Sequence, residues 1–126
     1  MRADLAGGTL DIFPLYVFMG GAVTLNIALT LSSQVSVEEI DGAEVRLISE
    51  DLGIEQSAPD IDSLDPGGPL GFIAGIARFY RPRAGVIIST KNNVPKGSGL
   101  GASSALLIAL SHALDALNQS RLEPEQ

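Results

Sequence analysis

The chain has 126 residues, 45% of them hydrophobic and none a cysteine, with a net charge of −7. That size and balance suit one compact domain or a piece of a larger one, neither disordered nor fibrous. The acidic excess excludes a bare nucleic-acid surface, and the lack of cysteine with a single histidine, His112, excludes disulfide frameworks, thiolate metal sites and histidine clusters.

The first segment, MRADLAGGTLD (Met1 to Asp11), is polar, glycine-bearing and rich in potential ligands. Its acidic Asp4 and Asp11 stand where a secretory leader would be basic. From Ile12 to Val37 no residue is charged, a run longer than the ~20 residues a spanning helix needs. Yet Val23, Leu25, Ile27, Leu29, Leu31, Val35 and Val37 fall on alternate positions, broken only at Ser33. A period of two predicts one long strand with a buried face rather than a membrane helix. The chain therefore reads as soluble and cytoplasmic, with no membrane partner.

Asp41-Gly42 then predicts a hairpin turn into a partner strand, VRLIS, Val45 to Ser49. Residues 50–66 read as an acidic surface loop. Asp60, Asp62 and Asp65 lack the glycine and terminal glutamate of a calcium loop, so a solvated loop is expected. Pro69 to Tyr80 reads as a helix, with Leu70, Ile73, Ala74, Ala77 and Tyr80 in one stripe and Pro82 just past its end. Arg78, Arg81 and Arg83 follow, where contact with the helix C-terminus is expected. Ala84 to Thr90 reads as a short apolar strand, and Ala102 to about Asn118 as the final helix, with Leu106, Leu110, Ala113, Leu114 and Leu117 facing the core. His112 and Asp115 are expected on its surface. Strands, helix, strand, helix point to a layered α/β or α+β domain.

The most informative stretch joins that last strand to the last helix: Pro95, Lys96, Gly97, Ser98, Gly99, Leu100, Gly101, Ala102, Ser103 and Ser104. A helix N-terminus carries unpaired N–H groups and partial positive charge, which together favour an anion such as phosphate. Three alternating glycines let backbone approach its oxygens closely. Ser103 and Ser104 add hydroxyls for phosphate or a phosphate-bound Mg²⁺, and Lys96 a mobile charge. The order is wrong for a Walker A loop, because Lys96 precedes the glycines. Gly97, Gly99 and Ala102 do match the dinucleotide pattern G-x-G-x-x-G/A, which leaves a dinucleotide-binding oxidoreductase module as an alternative.

Pro95 to Ser104 resembles the P-x-G-x-G-L-G-S-S-A phosphate loop of the GHMP kinases, the superfamily of galactokinase, homoserine kinase, mevalonate kinase and phosphomevalonate kinase. Arg2 to Asp11, RADLAGGTLD, is similar to R-x-x-x-A-G-G-G-T-D, the first motif of the branch containing heptose-phosphate and fucose kinase-like enzymes. Gly20 to Val23, GGAV, resembles the segment entering that branch's second strand. Ala102 departs from the loop's first serine, Ser104 from its final alanine, and Thr9-Leu10 from Gly-Thr.

The resemblance implies an α+β, ribosomal protein S5 domain 2-like fold, an antiparallel-rich sheet with helices packed on one face. Residues 1–126 would form the N-terminal, ATP-binding domain of a longer kinase, inactive alone, with the catalytic aspartate and Mg²⁺-binding glutamate beyond the last helix. The cofactors implied are ATP and Mg²⁺, and the substrate a small molecule, a sugar or sugar phosphate, with mevalonate as the alternative. Carried over, Gly97 to Ser103 would wrap the β- and γ-phosphates, Ser103 would ligate Mg²⁺, and Arg2 would act catalytically beside the transferred phosphate. Gly7, Gly8 and Asp11 would bind the sugar. A non-catalytic interaction domain on the same scaffold is the remaining possibility.

Overall fold

The computed structural model describes residues 1–8, 10, 12–21 and 23–118. Its elements in chain order are β1 (Arg2–Ala6), α1 (Leu15–Phe18), β2 (Leu25–Ala28), β3 (Ser33–Ile40), β4 (Val45–Ser49), β5 (Ile54–Ala58), α2 (Gly71–Tyr80), β6 (Gly85–Asn92) and α3 (Ala102–Asn118). Strands β3 to β6 form a four-stranded sheet in the order β3-β6-β4-β5, and β1 with β2 a separate two-stranded ribbon. Within the larger sheet β6 runs antiparallel to β3 and parallel to β4, while β4 and β5 are antiparallel. The expected α+β architecture, antiparallel-rich with helices on one face, is the one observed.

Alternation explains which face is covered. Val45 and Leu47 on β4 and Val86, Ile88 and Thr90 on β6 are all buried, whereas Arg46, Ser89 and Lys91 between them are not. Against the buried face, α2 sets Ile73, Ala74 and Ala77, and α3 sets Leu106, Leu110 and Leu114. These three leucines, four residues apart, form a single stripe. Thr90 resolves its buried hydroxyl by donating to the Ile48 carbonyl (3.4 Å). The expected bounds of α3 and the expected end of α2 agree with the structure, as does a strand leading into the glycine loop, while α2 begins at Gly71 rather than Pro69.

Three expectations are corrected. The long strand from Val23 breaks between Ala28 and Ser33 into β2 and β3. The Asp41-Gly42 turn joins β3 to β4, but the two do not pair, because β6 lies between them. Gly85 makes that insertion possible: its N–H donates to the Gly42 carbonyl (2.8 Å), and a Cβ there would come 2.8 Å from the Glu44 carbonyl oxygen. Lastly, the acidic loop contains β5, an edge strand whose IEQSA sequence has too little apolar character to read as one.

Beyond β5 the loop is knitted by its own carboxylates. Asp60 Oδ1 accepts the Ser63 N–H (2.8 Å), Asp65 Oδ1 accepts the Gly67 N–H (2.8 Å), and Asp62 pairs with Arg81. The Ser63 hydroxyl and N–H hold the Asp60 carboxyl below the ordinary carboxylate range. Among the described residues no acidic cluster is arranged to hold a metal ion, and no helix is long and apolar enough to cross a membrane. Arg81 takes a left-handed conformation and caps α2 by donating its N–H to the Ala77 carbonyl. Arg78 reaches the Leu64 carbonyl instead (3.4 Å).

Burial along α3 makes a direct test of this packing. Leu110→Ala removes a fully buried side chain between helix and sheet and should cost about 2–5 kcal/mol in thermal or denaturant unfolding. Ile108→Ala, on the face that is 68% exposed, should stay within about 0.5 kcal/mol of the parent.

Candidate functional site

The glycine loop leaves the carboxyl end of β6, a central strand, and enters α3. Gly97, Gly99 and Gly101 all adopt left-handed backbone, with φ of 76°, 69° and 77°. At none of the three would a Cβ meet a heavy atom within 4 Å. Conformation, not crowding, therefore requires glycine here, and the space beside each of them is open. The turn is closed by the Ser98 N–H donating to the Pro95 carbonyl (3.2 Å).

At the end of the loop the Ala105 N–H donates to the Gly101 carbonyl (3.0 Å), the first bond of α3. The N–H groups of Ala102, Ser103 and Ser104 precede it and have no intrahelical acceptor. Seventeen residues of helix, about 26 Å at ~1.5 Å each, align their dipoles behind those donors. Ser103 and Ser104 are exposed in the first turn, and no acidic side chain stands there. Lys96 is exposed and, among the described residues, has no ion-pair partner. The donors, the open space beside the glycines and a first turn without acidic side chains fit a phosphate chain. For Mg²⁺ this turn offers the exposed hydroxyls of Ser103 and Ser104, so the phosphates themselves would have to supply other oxygens.

Arg2 lies on β1, where period-two geometry puts it on the same face as Asp4, and its Nε stands 3.3 Å from Asp4 Oδ1. Asp4 is thus a neighbour of the predicted catalytic arginine that motif matching overlooked, although the i, i+2 spacing on a strand could have revealed it. Gly7 has φ 75°, and a Cβ there would lie 2.3 Å from the Val23 carbonyl oxygen. At Gly8 it would lie 2.8 Å from the Asp4 carboxylate. Both glycines therefore have a reason within the chain itself, the close passage of the segment just before β2 and of Asp4. Asp11 lies outside the described residues.

In α3, His112 is exposed as expected. Asp115 is not the solvated residue expected: it is half-buried, with Oδ1 shielded from solvent and without a hydrogen-bond partner. The dinucleotide alternative fails on topology. That motif belongs to successive parallel βα units, whereas the sheet here has one parallel pair, β4 with β6, between antiparallel neighbours. The two best-formed hollows hold about 150 and 160 Å³, and neither includes a loop residue. Ligand pockets usually reach roughly 300–1,000 Å³, so the loop stands as an open cradle.

Residues 71–126, from α2 through the glycine loop, match the family described as GHMP kinases N terminal domain. The curated mevalonate kinase of Methanothermobacter thermautotrophicus is 32% identical over 89 residues, which cover 71% of this chain and 28% of that protein. The solved D-glycero-D-manno-heptose 1-phosphate kinase from Bacteriodes thetaiotaomicron superposes with a TM-score of 0.71 at 28% identity, over 91% of this chain and 39% of its own. The Methanococcus jannaschii mevalonate kinase shares the fold, with a TM-score of 0.72 at 18% identity over 97% of this chain and 39% of its own. The chain thus spans well under half the length of these relatives.

The left-handed glycines yield a prediction free of any ligand. Gly99→Ala forces an L-residue to φ near 69° and should destabilise the fold by about 1–2 kcal/mol, or make the loop abandon its shape. Thermal melting with amide spectra of Gly97 and Gly101 checks it, and a variant unchanged in both would contradict the loop geometry.

Proposed function

We propose that the chain, whose residues 71–126 match the GHMP kinases N terminal domain, supplies the nucleotide-binding half of an ATP-dependent kinase acting on a small molecule with a hydroxyl acceptor. The observation that carries this reading is the run of three left-handed glycines into an unopposed helix N-terminus with Ser103 exposed beside it. In this proposal the N–H groups from Gly97 to Ser103, apart from that of Ser98, which closes the turn on Pro95, hold the β- and γ-phosphates, and Lys96 neutralises part of their charge. Ser103 holds Mg²⁺ through its hydroxyl. When bound, ATP and Mg²⁺ supply the transferable phosphoryl group and screen its charge. Arg2 stabilises the transferring phosphoryl oxygens, with Asp4 fixing its guanidinium, while Gly7, Gly8 and Asp11 line the acceptor side.

Phosphoryl transfer asks for positioning and charge neutralisation, and this chain contributes both. Because the chain spans only 28–39% of the length of its relatives, we assign residues 1–126 as the N-terminal domain of a longer enzyme. Exposed apolar side chains support that assignment: Phe13, Phe18 and Val23 are 73%, 79% and 86% exposed, and Leu5, Leu25 and Ile27 of the ribbon are exposed with them. A surface of that character belongs under further protein.

For the acceptor, a sugar or sugar phosphate is favoured by the Arg2–Asp11 segment together with the 28% identity to a heptose 1-phosphate kinase. Mevalonate is the second reading, favoured by the 32% identity to a mevalonate kinase. ATP consumption by the longest reading frame containing this chain, offered heptose phosphates, fucose, galactose and mevalonate, separates the two. One active acceptor is expected, and silence on all of them without MgATP binding would sink the kinase reading.

Two further outcomes follow. Ser103→Ala should weaken Mg²⁺-dependent ATP binding by roughly fivefold, the loss of about one good hydrogen bond or ligand contact, with little change in melting. Calorimetric titration with and without Mg²⁺ reads it. The isolated 126-residue chain should bind an apolar reporter dye through its ribbon, and the longest reading frame should not.

A further inference from the structure

Strand β6 ends at Asn92, the chain bends at Val94, and Pro95, which has no N–H to give a ladder, follows. Its neighbour β3 pairs Ser33 with Asn92, so Ser32 faces Asn93 one step further on. The Asn93 N–H donates to the Ser32 carbonyl (3.2 Å), as in a continuing ladder. The return bond is made differently: the Ser32 N–H donates to the Asn93 side-chain Oδ1 at 2.7 Å. The side chain thereby takes the place of a main-chain carbonyl, closing the ladder while the backbone turns away into the glycine loop.

The opposite flank is held too. Asp51, in the turn after β4, accepts the Asn92 N–H (3.0 Å) and the Ser49 hydroxyl (3.3 Å) on one oxygen, and Glu50 pairs with Lys91 (3.2 Å). From Ser32 the bonding continues towards β1. The Leu31 carbonyl accepts from the Met1 amino group (3.2 Å), and the Leu29 N–H donates to the Met1 carbonyl (2.8 Å). Arg2 is the next residue. An unbroken path of backbone and Asn93 bonds therefore joins the segment bearing Arg2 to the root of the glycine loop.

We infer that Asn93 is a positioning residue: its side-chain carbonyl fixes the glycine loop relative to the β1–β2 ribbon that carries Arg2. This rests on the reading above that the two segments serve one site. What the geometry requires at residue 93 is a short side chain with an acceptor oxygen, which Asp supplies and Ala does not.

The test compares Asn93→Ala and Asn93→Asp in the ¹⁵N-labelled 126-residue chain. In the alanine variant, exchange of the Ser32 and Leu29 amides should quicken roughly fivefold, the equivalent of one lost hydrogen bond, and the Gly97, Gly99 and Gly101 amide resonances should move. The aspartate variant should restore all of them. MgADP affinity should fall roughly fivefold in Asn93→Ala and recover in Asn93→Asp. If Ser32 alone responds, with Leu29 and the glycines unmoved, Asn93 closes a strand end and positions nothing. If the spectra respond as expected but neither parent nor variants bind MgADP, the positioning role stands and the phosphate reading falls. Should the alanine variant melt below the assay temperature, Asn93→Gln, which displaces the amide by one methylene, gives the same comparison.

Discussion

The pairing of β6 with β4 in parallel, inside a sheet otherwise antiparallel, is the constraint on which the rest depends. A parallel pair cannot be closed by a tight turn, so β5 and α2 fill the crossover, β5 extending the sheet at its edge and α2 covering one side of it. It also brings β6 to the middle of the sheet, where Val86, Ile88 and Thr90 are completely enclosed. The carboxyl end of such a strand is held by two neighbours. A loop beginning there starts from a fixed point, which is what a backbone cradle needs if its N–H groups are to be aimed before a ligand arrives.

That insertion relies on a small steric fact. Ile40 and Glu44 approach the start of β6 so closely that a Cβ at Gly85 would stand 3.0 Å from Ile40 Cγ1 and 2.8 Å from the Glu44 oxygen. A glycine admits the strand, and the Gly42 and Glu44 carbonyls then take its first two N–H groups. The glycines at the other end of β6 serve a different end. A Cβ at Gly97, Gly99 or Gly101 would meet nothing, and the value of these glycines is the sign of φ. One residue type thus solves a packing problem at the strand's entrance and a conformational one at its exit.

Local pattern and long-range pairing were legible to very different degrees. The stripe of Leu106, Leu110 and Leu114 and the stripe through Ile73 and Ala77 located α3 and α2 correctly, because a helix's face is written in its own spacing. The glycine loop was legible for the same reason, its residues being consecutive. Strand partnership was not, since Asp41-Gly42 marks a turn without stating whether a third strand will enter between the arms. The alternation from Val23 to Val37 was read as one buried face. In fact Val35 and Val37 pack on the core while Leu25 and Ile27 stand exposed. Periodicity reports that a strand has two faces; what covers them is decided elsewhere. Asn93 and Asp51 escaped notice because each acts across more than forty residues of chain, Asp51 on Asn92 and Asn93 on Ser32.

The two ends of the molecule differ in how they are held. The four-stranded sheet and its helices share one core, whereas the β1–β2 ribbon joins them through backbone bonds at Met1, Leu29 and Leu31 and leaves its own apolar residues in water. With so little buried between them, the ribbon's position relative to the glycine loop is set by hydrogen bonds rather than by packing. Hydrogen bonds of this kind contribute only about 1 kcal/mol each, less than apolar burial gives a core leucine. Precision between the two segments must therefore come from how many such bonds act together and how short they are. The shortest of them on the loop side, at 2.7 Å, is the one made by the side chain of Asn93. A site divided between these segments is accordingly aligned within this chain by hydrogen bonds, that of Asn93 foremost, rather than by a shared core.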